Sequence, residues 1–146
     1  MTLVRLLLFL PALLSLSAEA HLGGPESSVK ADMRALGAQD KLILKKDYSI
    51  HVLSSAGNTV KEFVLPNGIV FGISWQGRLQ PDLSVLLGQY LKEYEQAVSK
   101  QKFKKRGAKS VRTDNLVVER SGHPRDLRGV GYLPKLLPRG FSFEDQ

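Results

Sequence analysis

The residues with the clearest chemical potential form a cationic run between Gln96 and Thr113. Seven basic residues and no acid stand in this run, and their charge equals the formal net charge of +7 of the whole 146-residue chain. They are Lys100, Lys102, Lys104, Lys105, Arg106, Lys109 and Arg112. Such a run attracts polyanions through a salt-sensitive field. The alternative is a solvated loop after a helix, where positive charge suits the carboxyl end of the helix dipole.

Residues 1–20 have the pattern of a secretory signal peptide. Arg5 precedes the apolar run 6–14, and the small-x-small sequence Ala-Glu-Ala stands at 18–20. The apolar run is shorter than the roughly 20 residues that span a bilayer. We therefore predict cleavage after this sequence and export of residues 21–146, with no transmembrane segment in the exported chain. An uncleaved N-terminal anchor is the alternative.

Export defines the partners that the cationic run would meet. In an envelope these are lipopolysaccharide, anionic lipid or polysaccharide, or another envelope component. Nucleic acid is disfavoured there, and Phe103 is the one ring inside the run that could stack on a base. The sequence thus predicts an exported, non-enzymatic binding or accessory protein. An inert structural subunit of an envelope complex is a further interpretation.

The three His residues suggest one metal site. Cleavage of the leader would give His21 a free amino group, which can chelate Cu(II) together with the imidazole, and His51 or His123 would add a third nitrogen. A small copper-binding protein or enzyme is therefore the alternative function. In the other interpretation His21 only marks the leader's end, His51 faces solvent or the far side of its strand, and His123 lies in a surface turn. On that interpretation no cofactor is needed.

Most other catalytic chemistries lack their residues. The chain has no Cys, which excludes disulfides, thiolate zinc sites, cysteine catalysis and iron–sulfur ligation. It also has no Gly-x-Ser-x-Gly, no phosphate-binding glycine loop and no His-Glu-x-x-His. The carboxylates Glu62, Asp82, Glu119 and Asp126 are isolated in sequence. We expect Asp82 to cap a helix and Glu62 to be an exposed strand residue, and we predict no catalytic residue.

The aromatic residues Trp75, Tyr90, Tyr94 and Tyr132 are expected beside a helix–sheet interface, where core packing is their usual role. The alternative is a shallow aromatic groove for a sugar or an acyl chain. Loops held by rigid elements often carry function. The mouth of the strand-to-helix loop is therefore the place to look for a ligand, and its candidate residues are Trp75, Gln76 and Arg78.

Hydrophobic periodicity predicts the elements that position these residues. Residues 26–36 have helical spacing, and residues 48–75 predict a three-stranded antiparallel meander. Its first strand alternates, and its third, 69–75, is apolar enough to be central and covered on both faces, with Gly72 indicating a bulge or a close approach. Residues 82–98 carry an apolar stripe at 3.6-residue spacing, which predicts one long amphipathic helix that needs a sheet to cover it.

Two further strands are predicted after a basic loop at 99–109. They lie at 115–119 and 127–133, and the prolines of 134–146 predict an irregular tail. The expected fold is a single α+β domain over residues 21–146. It has an antiparallel sheet of about five strands in the order β-β-β-α-β-β, one long helix across it and a short N-terminal helix.

The sequence resembles one known family over nearly all of residues 21–146. The segments that carry the resemblance are Leu22-Gly23-Gly24, Phe63-Val64-Leu65-Pro66-Asn67-Gly68, Trp75-Gln76-Gly77, Pro81-Asp82-Leu83, Leu116-Val117-Val118-Glu119 and Gly131-Tyr132-Leu133-Pro134. They are similar to segments of a family of small exported proteobacterial proteins, the family known as domain of unknown function 2844. The resemblance implies export from a Gram-negative cell to the periplasm or beyond, one domain and no assigned activity. It supplies no catalytic residues.

Overall fold

A computed structural model describes residues 21–101, 109–144 and 146. In this part of the chain, seven strands form one antiparallel sheet and three short α-helices accompany it. The strands are β1 (Gln39–Leu44), β2 (Ser49–Ser54), β3 (Asn58–Val64), β4 (Val70–Gly77), β5 (Lys109–Arg112), β6 (Val117–His123) and β7 (Asp126–Tyr132). The helices are α1 (Val29–Ala35), α2 (Leu83–Leu87) and α3 (Leu91–Ser99), with 3-10 turns at Glu26–Ser28, Gly88–Tyr90 and Pro134–Leu136. The predicted signal peptide lies outside the described residues.

The spatial order of the strands is β1-β2-β3-β4-β7-β6-β5. The first four strands follow one another as a meander. The chain then leaves β4 through α2 and α3, reaches the far edge at β5 and returns toward the centre through β6 and β7. As a result β4 is the central strand, paired with β3 and β7, while β1 and β5 are the two edges.

One face of the sheet, which we call the helix face, packs against the helices. Strand alternation aligns Leu53, Val60 and Trp75 across β2, β3 and β4, and all three are buried. They join Leu86 and Leu87 of α2 in the larger hydrophobic core. The apolar stripe of the sequence is thus buried where the α2 segment crosses the sheet.

The opposite face, which we call the tail face, is half covered by the C-terminal segment 137–144. Its core contains Phe63 and Phe71 of the sheet and Phe141 and Phe143 of the tail, with edge-to-face ring contacts at centroid distances of 5.0–5.3 Å between sheet and tail. A Cβ at Gly72 would lie 2.9 Å from Phe143 Cζ. Gly72 therefore permits the close approach that its place in the strand predicted.

The prediction of one long helix over 82–98 is wrong. Gly88 has φ +45° and separates α2 from α3 through the 3-10 turn Gly88–Tyr90. A Cβ on Gly88 would overlap the ring of His21, so the N-terminal segment occupies the space that a residue with a side chain would fill. The helix therefore breaks where Gly88 packs against the N-terminal segment. The hydrophobic periodicity of residues 82–98 does not reveal this contact with a distant part of the chain.

The predicted α+β sheet of about five strands is also wrong, since the described part of the chain has seven strands and is mostly β. The two strands that were missed are the edges β1 and β5. β1 is exposed along most of its length, including Leu44 at 76% exposure, so it lacks the alternation of a half-buried strand. β5 has only four residues and follows directly on the basic loop.

Several local predictions are confirmed. The N-terminal helix is present as the turn Glu26–Ser28 and α1, and the three-stranded meander is present as β2, β3 and β4. Within the described ranges, none of the helices is both long and apolar enough to cross a lipid bilayer.

Asp82 caps α2 as predicted, and this contact can be tested. Asp82 Oδ1 accepts the backbone N–H of Ser84 at 2.8 Å and its hydroxyl at 2.6 Å. We expect Asp82→Ala to lower the free energy of unfolding by about 1 kcal/mol in urea titrations, because it leaves a helix N–H without its acceptor. Asp82→Asn keeps an acceptor oxygen and should lose less than about 0.5 kcal/mol. Equal losses in both variants would contradict the capping role.

Candidate binding groove and buried carboxyl cluster

The tail face carries an open groove beside the C-terminal segment. Its volume is about 1000 Å³, and it is lined by β3, β4, β5, β6 and β7 together with the tail. Its polar lining residues are Thr59, Lys61, Ser74, Gln76, Ser110, Glu119, Arg120, Ser121, Arg128, Ser142, Glu144 and Gln146. Hydroxyls, amides and cations in one concave surface suit a polar, oxygen-rich ligand.

Strand register produces the polar floor of this groove. Lys61, Ser74, Val130, Glu119 and Ser110 stand opposite one another across five neighbouring strands and share the tail face. Their strand neighbours point to the helix face and are mostly apolar. The tail covers the Phe63 half of this face and leaves the polar half open, so it forms one wall of the groove.

Aromatic rings mark the end of the groove next to the tail. Tyr132 and Phe143 both line it, with ring centroids 5.5 Å apart at 36°. The ring of Trp75 belongs to the helix-face core instead and is only 3% exposed, and its indole Nε1 is buried without a hydrogen-bond partner in the described residues. The groove therefore joins a polar floor to an apolar end.

Two exposed ion pairs organise the charges near the groove. Arg128 donates from Nε to Asp126 Oδ1 at 3.2 Å and from Nη2 to Asp126 Oδ2 at 3.0 Å. Gln76 Nε2 donates to Asp126 Oδ1 at 3.1 Å. These hydrogen bonds, chiefly that of Arg128, lower the pKa of Asp126. In the second pair, Arg112 Nη2 lies 3.6 Å from Glu119 Oε1. Exposed pairs of this kind add little to stability. The side chains of Arg112 and Arg128 are more than half exposed, so both cations stay accessible to an anionic ligand.

The structure places part of the predicted polyanion site on the edge strand next to the groove. Lys100 is exposed just after α3, and Arg112 is exposed on β5. Lys109 begins β5, and Ser110 of the same strand lines the groove. The remaining predicted residues, Lys102, Lys104, Lys105 and Arg106, lie outside the described residues.

The predicted ligand loop lies at the end of β4 instead of beyond it. β4 continues to Gly77, so Trp75 and Gln76 are strand residues, and Arg78 is exposed just after the strand. A Cβ at Gly129 of β7 would overlap the Trp75 ring, which shows how closely the ring packs on the neighbouring strand. Gln76 is the member that both lines the groove and is exposed.

The three His residues occupy separate environments. His21 packs against Gly88, His51 is buried in β2, and His123 is exposed at the end of β6. Within the described ranges no group of three or more His, Asp or Glu side chains is arranged to hold a metal ion. The copper hypothesis gains no contact from the structure and stays a prediction.

The expectation that His51 faces solvent or the far side is wrong, because His51 is 8% exposed on the helix face. Its Nδ1 lies 2.8 Å from Asp40 Oδ2 and its Nε2 lies 3.0 Å from Glu26 Oε1. His51 therefore ties the edge strand β1 and the N-terminal 3-10 turn to β2.

A buried carboxyl pair lies beside His51. Glu62 of β3 stands opposite His51 in the register, and the Glu62 side chain lies within hydrogen-bonding reach of Asp32 of α1. Asp32 is 2% exposed and Glu62 1% exposed. Burial, the largest cause, raises the pKa of Asp32 to about 6, and burial together with the neighbouring Asp32 and Asp40 raises the pKa of Glu62 well above its usual range.

The prediction that Glu62 is exposed is thus wrong, and Asp32 was not predicted as a site residue. One signal in the sequence does point to the burial of Glu62. It alternates with Val60 and Val64, both buried on the helix face, so its side chain must point into the same layer. No comparable signal marks Asp32, whose burial depends on where α1 docks.

Comparison with known proteins identifies the family of this chain but no activity. The family model described as protein of unknown function (DUF2844) matches residues 18–146, which is nearly the whole chain outside its first residues. No curated protein and no solved structure matches the chain significantly. The chain therefore belongs to the DUF2844 family of proteins of unknown function.

Proposed function

We propose that the protein is an exported, non-enzymatic binding module that holds an anionic polymer of the cell envelope. The observation that carries this proposal is the position of the last residues of the basic run, which lie on β5 next to the groove. Strand β5 contains Lys109 and Arg112 of the run, and its Ser110 lines the groove itself. A polymer attracted by the run would reach the groove without crossing the rest of the protein surface.

The chemistry of the groove favours an acidic polysaccharide as the polymer. Lys61 and Arg128 supply cations for carboxylate, sulfate or phosphate groups. Thr59 and Ser74 supply hydroxyls for the sugar oxygens, and the aromatic end offers a flat apolar surface for a sugar ring. The signal-peptide pattern of residues 1–20 supports an envelope location for this ligand.

Charge-neutral variants test this proposal. In the first variant Lys102, Lys104 and Lys105 are replaced by Gln. The matched control replaces Lys41, Lys45 and Lys46, which are exposed on β1 and the turn after it, at the opposite edge of the sheet. Both variants lose three positive charges, so they differ only in where the charges stood.

Binding is measured with labelled polygalacturonate and dextran sulfate at several salt concentrations, with neutral dextran as a blank. We expect the first variant to lose at least about tenfold in affinity at low salt. The slope of log affinity against log salt should become less steep by about 2 to 3, because three contacts between a cation and an anionic group of the polymer are removed. The control should change less than about threefold. Equal losses in both variants, or unchanged binding in the first, would overturn the proposal.

A further inference from the structure

We propose that Asp32 and Glu62 share one proton at neutral pH, and that this proton is a pH-sensitive latch that fastens the N-terminal segment 22–36 to the sheet. The two side chains come from different elements, α1 and β3, and they meet in a layer that excludes water. The latch goes beyond the proposed binding function, because it concerns the opposite face of the sheet.

The geometry requires a proton between the two carboxyl groups. Asp32 Oδ2 and Glu62 Oε1 are buried and have no partner among the ordinary hydrogen-bond donors of the described residues. Two ionised carboxylates cannot satisfy each other, whereas a carboxylic acid can donate to a carboxylate. One proton therefore turns two orphaned acceptors into a hydrogen bond between helix and strand.

The neighbouring carboxylate of Asp40 favours keeping that proton. Asp40 of β1 adds negative charge that acts on Glu62. Glu26 of the 3-10 turn and Asp40 are both bound to His51 of β2, whose two contacts lie on the same face of the sheet. The pair thus faces acids from the N-terminal turn and β1, and one His from β2. Burial of the pair acts in the same direction and is the largest cause of the raised pKa of both carboxyl groups.

Besides the contact between Glu26 and His51, the segment fastened by the latch is held by backbone hydrogen bonds and packing. Gly23 donates to Val70 O at 2.8 Å, Val70 donates to Gly24 O at 3.0 Å, and Leu22 donates to Leu86 O at 3.0 Å. These bonds do not change with pH. Opening of the segment exposes the carboxyl pair to water, where it releases its proton, so opening becomes easier as the pH rises.

The experiment measures amide hydrogen exchange of residues 29–36 between pH 6 and pH 8, corrected for the intrinsic exchange rate. A single proton that is held when the segment is docked and released when it opens makes the opening constant rise about tenfold per pH unit. We therefore expect protection to be lost as the pH rises, by up to about 100-fold over this range. Amides of the central strand β4 should change less than about threefold.

Three variants identify the group responsible. Glu62→Gln supplies a permanent amide donor to Asp32, so protection of residues 29–36 should vary less than about threefold between pH 6 and pH 8. Asp32→Asn gives the same test if the first variant does not fold. His51→Gln removes the neighbouring imidazole and should keep the steep pH dependence. A flat profile in the unmodified protein, or a profile flattened by His51→Gln and not by either carboxyl variant, would overturn the latch.

Discussion

Phe63→Ala is expected to lower the free energy of unfolding by about 3–5 kcal/mol, which is the usual cost of removing a fully buried Phe. Phe63 is 0% exposed and forms the centre of the tail-face core. Its ring lies 5.3 Å from Phe141 and 5.2 Å from Phe143, both nearly perpendicular to it. The substitution removes these contacts and leaves a cavity between sheet and tail.

The measurement is urea denaturation followed by the fluorescence of Trp75, the single Trp of the chain. The control is Leu44→Ala on β1, where the Leu side chain is 76% exposed and the expected loss is under about 0.5 kcal/mol. A loss below about 1 kcal/mol for Phe63→Ala would show that the tail does not dock as described.

A double-mutant cycle of Phe63→Ala and Phe141→Ala then isolates the contact between sheet and tail. We expect a coupling energy of about 0.5–1.5 kcal/mol for this ring pair. Because the tail also forms one wall of the groove, Phe141→Ala should weaken polymer binding as well as stability. Coupling near zero would assign the cost of Phe63→Ala to the sheet alone.

The sequence predicts those elements whose burial alternates or repeats. β2 and β3 alternate over part of their length, and β4 is an apolar run that is buried on both faces at residues 70–73, so both patterns predict strands. Asp82 caps α2 as its residue type predicts. The edge strand β1 is defined by its hydrogen bonds to β2 and not by burial of its own side chains. Propensity and periodicity therefore do not reveal it.

The candidate site was predictable only in its charge. The basic run is visible in the sequence, and the structure connects its last residues to the groove through β5. The groove itself depends on register across five strands and on where the tail docks, neither of which is a local property. Glu62 shows the same limit, since its partner Asp32 is 30 positions away in the chain and comes from another element.

Leu87→Ala is expected to cost about 2–5 kcal/mol, because Leu87 is 0% exposed in the helix-face core and lies over Gly131 of β7. Val98→Ala is the matched control on the same predicted stripe. Val98 is 38% exposed on α3, so its loss should stay under about 0.5 kcal/mol. An unbroken helix would bury both Leu87 and Val98, so both variants would lose much of the free energy of unfolding. With the break at Gly88, only Leu87→Ala should give a large loss. Urea midpoints of the two variants therefore test the broken helix directly, and comparable large losses would contradict it.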